Sequence, residues 1–355
     1  MVSSAQDALK KIGERLQNEV PHHIPSPPSQ PRRACVALIL RWHTKRTHEK
    51  PLTSVDLPKT IDEFFQLPWV KDNVDGRPEL LFMQRATRAG DRWSGHIAYI
   101  GGKNEPGETD NDTVTREVRE EIGLDLASDA FIELGRLDDR EITSSYNRQL
   151  LMILVPFVFL QVVPQTPAIQ LEKDEVASVE WIPLDFFLSP ITSQSAVVES
   201  LTPRVFFGWR HKLLQYLLGT ITFPAIDLPI NNVTTNDMTT TVPPPRRFRL
   251  WGMTLAMTRD LVHLSDNDDL PFLSLVATPP RYSRRDIGWW IQITARTTLF
   301  WRQTTALSSS QRRAEWTKIY FGSLRTGVVM AMVTRAMILA AGTSWLVRRC
   351  YYHFK

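Results

Sequence analysis

Three glutamates crowd into five consecutive residues, and this spacing restricts the local fold more than any other feature of the chain. Glu117, Glu120 and Glu121 stand at positions i, i+3 and i+4. On a helix these positions share one face, so the carboxylates repel each other by roughly a few tenths of a kcal/mol per pair. A hard cation such as Mg²⁺ or Mn²⁺ removes that repulsion and prefers oxygen ligands. The spacing therefore predicts a helix with a metal-binding face.

A glycine-bearing loop precedes this helix. Gly101, Gly102 and Gly107 can bring backbone groups close to a phosphate or a metal, because glycine has no side chain. Mg²⁺ in such sites commonly completes its coordination with substrate phosphates. Loop and helix together favour metal-assisted cleavage of a phosphorylated substrate. The alternative is a solvated, charged helix face, which the fragment REVREE alone would also fit.

The complete spacing resembles the Nudix box. That motif reads Gly, five residues, Glu, seven residues, Arg-Glu, an apolar residue, any residue, Glu-Glu, any residue, Gly and an apolar residue. The fixed positions are filled here by Gly102, Glu108, Arg116, Glu117, Val118, Glu120, Glu121, Gly123 and Leu124. The resemblance implies a Nudix hydrolase with an α/β/α sandwich, a mixed sheet, and Mg²⁺ or Mn²⁺ as cofactor.

The resemblance also implies roles for individual residues. It assigns metal binding to Glu117, Glu120, Glu121 and the carbonyl of Gly101. Glu117 is alternatively the base that activates the attacking water. Arg116 is expected to orient the glutamates by salt bridges, and Glu108 to support the geometry of loop and helix.

Further candidates lie outside the box. Some Nudix enzymes use an acidic residue of a late loop as an extra ligand or base. Within residues 172–175 Glu175 is the candidate, and a solvated loop acid is the alternative. Arg85 and Arg92 are candidates for binding the substrate phosphates, together with the backbone of the Gly101-Gly102 pair.

Two segments resemble the coenzyme A diphosphatase branch of the family. Residues 80–102 match the region before the box in two leucines, an arginine and the glycines, although Tyr99-Ile100 stands where that branch has Phe-Pro. Residues 248–254 (FRLWGMT) match the segment that opens the last helix. The implied substrate is a nucleoside diphosphate derivative, coenzyme A or a related nucleotide. ADP-ribose or a dinucleotide is the alternative, and a non-catalytic nucleotide- or partner-binding Nudix module is the alternative of another class.

Aromatic residues near the box have two interpretations. Trp93 and Tyr99 could stack on an adenine, but core packing is favoured for both. His96, just before the strand that leads into the box, is expected to have a structural or surface role.

The order of elements predicts three regions. Residues 1–32 hold an amphipathic helix and a proline-rich linker. Residues 33–264 form the Nudix domain, with the box at 102–124 and a disordered insertion at 224–247. Residues 265–355 form an apolar, helical C-terminal tail. The helix repeats its apolar residues at Leu9, Ile12, Leu16 and Val20.

Strand-length apolar runs predict the sheet. They are Cys35–Trp42, Leu80–Gln84, Ile97–Ile100, Leu150–Val163 and Val176–Ile182. The fourth run is strongly apolar but too short to span a bilayer, and Pro156 argues against a continuous helix. We therefore expect it to be a buried strand.

Composition limits partners and compartment. The net charge of +4 is only mildly basic, so no nucleic-acid partner is expected. The two cysteines, Cys35 and Cys350, lie near opposite ends and suit a reducing compartment better than a disulfide framework. The first 20 residues do not resemble a secretory signal, so an intracellular location is predicted. The organelle and the oligomeric state stay open.

The tail also predicts membrane association. Gly327–Val347 is about as long as a membrane span, and Arg348 and Arg349 follow it, which favours a cytoplasmic end for this segment. If the tail attaches the chain to a membrane, we expect the Nudix domain on the cytoplasmic side. Arg335 in its middle opposes insertion by about 2.5–3.5 kcal/mol. The segment Ile287–Trp301 carries tryptophans at both ends, as interfacial segments often do. The alternative is a helical extension packed on the domain.

Overall fold

The fold is described from a computed structural model. It describes residues 5–44, 57–73, 75–88, 93–143, 149–189, 194–200, 208–229, 234–235, 248–265, 272, 280–301, 319–320 and 322–353. The helices are α1 (Ala5–Asn18), α2 (Ile61–Gln66), α3 (Pro68–Lys71), α4 (Asp110–Ile122), α5 (Asp185–Leu188), α6 (Gly208–Leu218), α7 (Gly252–His263), α8 (Arg285–Trp301) and α9 (Leu324–His353). The strands are β1 (Arg33–His43), β2 (Arg77–Arg85), β3 (Ile97–Ala98), β4 (Ile100–Lys103), β5 (Phe131–Arg136), β6 (Arg140–Thr143), β7 (Leu150–Gln161), β8 (Val176–Pro183), β9 (Gln194–Ser200), β10 (Thr220–Asp227), β11 (Thr234–Thr235), β12 (Arg249–Trp251) and β13 (Arg281–Tyr282).

The described residues divide into two compact units. The first takes residues up to 143, 149–196 and 224–278. The second takes residues 197–223 and those from 279 onward. The predicted boundaries at 32/33 and 264/265 stay a prediction, but α1 belongs to the first unit together with the sheet.

A mixed sheet of nine strands is the frame of the first unit. Its main path runs β11-β8-β2-β1-β7-β5, while β3 pairs with β2, β4 with β1 and β6 with β7. The central pair β1 and β7 is parallel, whereas β2 and β4 run antiparallel to β1. This is the α/β class with a mixed sheet that the sequence predicted.

Helices cover both faces of this sheet, and β1 shows why. Its even-numbered side chains, such as Leu38 and Leu40, face a core shared with α1 and α7. Its odd-numbered side chains, such as Cys35 and Ile39, face a second core with α4. A strand that is buried on both faces reads as a continuous apolar run rather than as an alternation. The observed layering confirms the predicted α/β/α sandwich.

Pro156 occupies the one kind of place in β7 that tolerates a proline. One neighbour, β6, pairs with β7 only as far as Leu154, and the next, β5, begins its pairing at Phe157. The proline lies in the gap between these partners, where its missing N–H costs no ladder hydrogen bond on that side. Its carbonyl still accepts a hydrogen bond from the Leu137 N–H at 2.9 Å. The predicted buried strand is confirmed.

Two local expectations were wrong. The segment 224–247, predicted as a disordered insertion, begins inside β10, whose residues Ala225–Asp227 pair with β12. Thr234 and Thr235 form β11 against β8, and the remainder from 236 to 247 lies outside the described residues. Val20, placed on the apolar face of the first helix, lies beyond the end of α1 and is 95% exposed.

Helix α1 is an integral part of the sandwich. Leu9 and Ile12 are fully buried, and Leu16 is nearly so. The backbone of Leu16 lies so close to Gly135 of β5 that a Cβ on that glycine would come within 2.5 Å of the Leu16 carbonyl oxygen. The helix therefore completes the core on its side of the sheet.

We predict that Ile12→Ala lowers the free energy of unfolding by about 2–5 kcal/mol, because it removes a fully buried side chain and leaves a cavity. Gln6→Ala, an exposed change on the same helix, should stay within about 0.5 kcal/mol of the parent. Urea unfolding of both variants measures the difference. Equal stability of the two variants would mean that α1 does not pack in the core.

Candidate active site

The acidic helix α4 is fixed at both ends by its own sequence. Thr109 caps the N-terminus, accepting from the Asp112 N–H, while the Asp112 side chain accepts from the Thr109 N–H. Gly123 ends the helix in the left-handed conformation at φ 75°, as the sequence predicted. Val114, Val118 and other apolar residues bury one face, so the glutamate face turns toward strand β4.

Strand β4 brings a glycine pair against the central strand. Gly101 lies opposite Val36, and Gly102 opposite Cys35. At φ 145°, a Cβ on Gly101 would come within 2.1 Å of the Cys35 carbonyl oxygen. A Cβ on Gly102 would come within 2.4 Å of Glu117 Oε1. Gly101 requires glycine because the obstacle is backbone, whereas a side chain at Gly102 would displace the Glu117 carboxylate from its position.

Glu121 is the most deeply placed carboxylate of the helix. Its side chain is buried, and its Oε2 accepts a hydrogen bond from the Gly101 N–H at 2.9 Å. Burial raises the pKa of Glu121 to about 8, against the opposing effect of that hydrogen bond. The neighbouring carboxylates of Glu117 and Glu175 raise the pKa further, while the charge of Arg85 lowers it.

Arg116 connects the loop to the helix face. Its guanidinium contacts both carboxylate oxygens of Glu108, with Nε to Oε1 at 2.6 Å and Nη2 to Oε2 at 3.1 Å. The same group contacts Glu117 Oε1 at 3.0 Å and Glu120 Oε2 at 2.9 Å, and it donates to the Lys103 carbonyl. The hydrogen bonds from the Arg116 guanidinium hold the pKa of the Glu108 carboxyl down at about 2. Arg116 and Glu108 thus take the positions that their expected orienting and supporting roles require.

Glu117 and Glu120 differ in their surroundings. Glu117 lies against the glycine pair, and burial raises its pKa even though Arg116 lowers it. The charges of Glu120 and Glu175 add to the increase. The Glu120 side chain is 60% exposed and is held by the Arg116 salt bridge. Glu117 is therefore an inner carboxylate and Glu120 a rim carboxylate.

The late loop brings Glu175 to the same place. The Glu172 N–H donates to the Glu121 carbonyl at 2.9 Å, and the Ala86 N–H donates to the Glu175 carbonyl at 2.8 Å. These two backbone bonds connect the loop to the end of α4 and to the end of β2. The Glu175 carboxylate is close enough to Glu117 and Glu121 to raise the pKa of both. The structure thus brings together the late acid that the sequence singled out and the box.

The donor set fits a hard divalent cation. The charges of Glu117 and Glu175 raise the pKa of Glu121, and this repulsion is removed when a cation binds between the carboxylates. In the part of the chain that the structure describes, no three Asp, Glu, His or Cys side chains already stand in a finished metal-binding arrangement. The Arg116 guanidinium is the counter-charge on the rim. The Gly101 group seen in direct contact with a glutamate is its N–H, and a ligand role for its carbonyl stays a prediction.

A cleft of about 280 Å³ opens beside the glycine pair. Its walls are Ala34, Val36, Met83, Arg85, Ala98, Tyr99, Gly101, Gly102, Lys103, Met152, Leu154, Met253, Thr254 and Met257. The Thr254 hydroxyl already donates to the Ile97 carbonyl at 3.2 Å. Arg85 and Lys103 are the charged groups of this lining, and four of its residues are methionines. Arg85 lines the cleft and its phosphate-binding role stays a prediction, whereas Arg92 lies outside the described residues.

The aromatic residues near the box differ in burial. Tyr99 is buried, stacks on Phe82 with ring centroids 5.1 Å apart, and its hydroxyl lies 2.6 Å from the Thr258 hydroxyl, as core packing requires. Trp93 is 49% exposed, so the core role favoured for it was wrong. His96 lies edge-on between Trp93 and Trp251, with ring centroids 5.5 Å and 5.2 Å away, which matches a structural role.

Two features of the site were not predicted from the sequence. Arg88 contacts Glu175 Oε1 at 3.1 Å and also donates to the Asp174 carbonyl. The methionines of the cleft come from β2, β7 and the start of α7. These residues are distant in sequence and meet only through the tertiary fold. Local sequence spacing therefore could not predict the cleft. Only the segment FRLWGMT, which contains Met253, gave a partial signal.

We predict a pH dependence of stability that depends on Glu121. Its pKa is raised from 4.5 to about 8, so its contribution to stability is complete below 4.5 and is lost as the pH rises to about 8. The loss is at most about 1.4 kcal/mol per pH unit. Gln imitates the protonated carboxyl, so Glu121→Gln should flatten the stability of the metal-free protein over that range.

Urea unfolding in chelator at several pH values measures this dependence, with the exposed change Glu105→Gln as the control. A Glu121→Gln profile as steep as that of the control would contradict the assigned burial of Glu121.

Comparisons with known proteins agree with this geometry. The NUDIX domain family model matches residues 70–199. The chain is 30% identical over 239 residues to the uncharacterized protein C14C4.10c of Schizosaccharomyces pombe, covering 66% of this chain and 67% of that protein. It is also 30% identical over 125 residues to the peroxisomal coenzyme A diphosphatase NUDT7 of Mus musculus, covering 32% of this chain. That match spans only 44% of the mouse enzyme.

Similar solved structures include a MutT/nudix family protein of Enterococcus faecalis, with a TM-score of 0.32, 13% identity, and coverage of 90% of this chain and 93% of that one. Another is the NUDIX domain of Shewanella oneidensis NrtR complexed with ADP ribose, with a TM-score of 0.28, 17% identity, and coverage of 48% and 82%. The family model and the complete box together support the assignment. The chain belongs to the Nudix superfamily and is a Nudix hydrolase, a member of a family that hydrolyses nucleoside diphosphate derivatives.

Proposed function

We propose that this hydrolase cleaves the diphosphate linkage of a coenzyme A-type nucleotide with Mg²⁺ or Mn²⁺. One observation carries the proposal: Glu117 and Glu121 lie against the Gly101-Gly102 pair, which also lines the cleft with its four methionines. Glu175 lies close enough to raise the pKa of both glutamates. The carboxylates suit a divalent cation and the phosphates. The cleft suits an apolar part of the substrate.

Nudix hydrolases generally use divalent metals, and the residues that would hold one here are Glu117, Glu120 and Glu121, with the Gly101 carbonyl. A bound divalent cation would supply charge stabilisation for the phosphate that leaves. Glu120 would have to exchange its salt bridge with Arg116 for this role. Such an exchange is inexpensive, because exposed ion pairs contribute only about 0–1 kcal/mol.

The chain's own residues divide the remaining tasks. Glu117 and Glu175 are the two candidates for the base that takes the proton of the attacking water, since both lie beside Glu121. A carboxylate with a raised pKa accepts a proton more readily at neutral pH, which favours Glu117. Arg116 fixes the orientation of Glu117. Arg85 and Lys103 line the cleft as donors for the substrate phosphates.

The lining of the cleft favours coenzyme A over ADP-ribose. Methionine side chains offer a flexible apolar surface and only weak acceptors. A second ribose would bring hydroxyls that lose water without gaining partners there, and each such group costs roughly 1–3 kcal/mol. The pantetheine arm of coenzyme A is rich in methylene groups and ends in a thiol. Its transfer from water into this cleft therefore costs less free energy than transfer of a second ribose. The similar mouse protein is a coenzyme A diphosphatase, which supports the same choice.

ADP-ribose or a dinucleotide is the second candidate. The half-exposed indole of Trp93 favours it, because an exposed aromatic ring can stack on a second base or on an adenine. This candidate keeps the same carboxylates and changes only the recognised group.

We predict that Glu120→Gln keeps the fold and lowers kcat by about 100-fold or more, because a charged ligand becomes a neutral amide. Glu105→Gln, an exposed change in the loop before the helix, should keep parental turnover. Activity of the parent should vanish in chelator and return with Mg²⁺ or Mn²⁺. Parental turnover of Glu120→Gln at saturating Mg²⁺, or activity that survives exhaustive chelation, would count against the site.

We also predict a higher kcat/KM for coenzyme A than for ADP-ribose or NADH, measured side by side with Mg²⁺. Met253→Gln should raise KM for coenzyme A by about tenfold and leave kcat nearly unchanged, because it alters binding away from the reacting atoms. Met253→Leu keeps the apolar surface and should resemble the parent.

A reversed substrate preference in the parent protein would favour the second candidate. If Met253→Gln and Met253→Leu behave alike toward coenzyme A, the cleft does not hold the pantetheine arm.

A further inference from the structure

The second unit contains a long helix of which only the first third is packed. Helices α8 and α9 meet through Ile291 and Ala331, both fully buried. A Cβ on Gly327 would come within 2.4 Å of Ile291 Cγ1, so the two helices are in close contact there. In the part of the chain that the structure describes, one helix, Leu324–Tyr352, is long and apolar enough to cross a membrane by length and composition, with mean hydropathy 1.5.

Arg335 marks the point where this packing ends. Its guanidinium contacts both carboxylate oxygens of Asp286 on α8, with Nε at 2.7 Å and Nη2 at 2.8 Å. It also donates to the Leu217 carbonyl at 2.7 Å. The sequence placed Arg335 in the middle of a 21-residue apolar segment, where its charge opposes insertion. The structure gives it a bidentate partner at the edge of the helix pair.

Beyond Arg335, every residue from Ala336 to Tyr352 is exposed. The exposed side chains include Met337, Ile338, Leu339, Leu346 and Val347, all of them more than half exposed. They are spread around the helix rather than gathered in one stripe. A helix that is apolar all round is typical of a membrane environment or a protein interior, whereas a coiled-coil partner requires a single apolar seam.

We propose that the segment Ala336–Val347 inserts into one leaflet of a lipid bilayer, with Arg335 and Arg348–Arg349 at its two ends reaching the headgroups of that leaflet. The twelve residues measure about 18 Å as a helix. This is shorter than the hydrocarbon core of about 27–33 Å, so the segment enters the bilayer without crossing it. Asp286 keeps Arg335 outside the inserted part.

The flanks of the segment fit an anionic membrane surface. Arg348 and Arg349 carry positive charge that complements acidic headgroups. Trp345, Tyr351 and Tyr352 surround them and are exposed, as in the aromatic belts found at membrane interfaces. A second copy of this chain would bring the same basic residues and would repel the first when the helices run parallel.

The test begins with flotation of the full chain on vesicles of phosphatidylcholine and phosphatidylserine. The parent should float with the vesicles, and Leu339→Asp should lower its partition on the order of 100-fold. Val20→Asp, an equally drastic change at an exposed apolar residue of the first unit, should float as the parent does. Circular dichroism and thermal unfolding of both variants show whether they are folded.

A fluorescent probe locates the inserted segment. In a Cys350→Ser background, which keeps only the buried Cys35, an environment-sensitive dye on Ala340→Cys should shift to the blue when vesicles are added. The same dye on the natural Cys350 should shift less, because it lies at the boundary.

A parent protein that stays monodisperse and does not float would overturn the proposal. A blue shift at residue 340 without vesicles, together with a dimeric mass, would overturn it in favour of a second copy. Equal flotation of Leu339→Asp and the parent would show that another surface binds the lipid.

Discussion

The hydrogen bond from the Gly101 N–H to the buried Glu121 carboxylate is the contact on which the rest of the site depends. It fixes the helix α4 against β4 at a distance that only the glycine pair permits. The same approach presses Glu117 against Gly102 and leaves Arg116 to bridge the outer glutamates. The cost is electrostatic, because burial and mutual repulsion raise the pKa of both inner carboxylates. A fold that keeps ionisable groups at such a cost usually retains them for function.

Much of this arrangement could be predicted from the sequence, because its determinants are local. The spacing of Glu117, Glu120 and Glu121 requires only a helix, and Gly123 ends that helix by its own conformational freedom. The strands could be predicted for the same reason, because strand-length apolar runs are a local feature of the sequence. Pro156 was correctly accepted within a strand, although its exact place between two partner strands depends on pairing that the sequence does not state.

What escaped prediction depends on distant parts of the chain meeting. The methionine cleft is built from three separate elements. Glu175 was named as a candidate from the sequence, but the backbone hydrogen bonds Glu172–Glu121 and Ala86–Glu175 that hold its loop near the box could not be predicted. Arg335 looked like a lone charge, because its partner Asp286 lies 49 residues away in sequence. The strand at Ala225–Asp227 was missed because its polar, threonine-rich continuation suggested a loop, whereas pairing with β12 decides its structure.

The most direct test of the account is the binding of Mn²⁺ itself, followed by electron paramagnetic resonance without substrate. The parent protein and Glu105→Gln should bind Mn²⁺ with equal affinity, and Glu121→Gln should bind it at least about tenfold more weakly, because one carboxylate of the convergent set is neutralised. In the parent, affinity should rise with pH toward about 8, as Glu121 loses its proton. Equal Mn²⁺ affinity in Glu121→Gln and Glu105→Gln would contradict the claim that these carboxylates form the metal site.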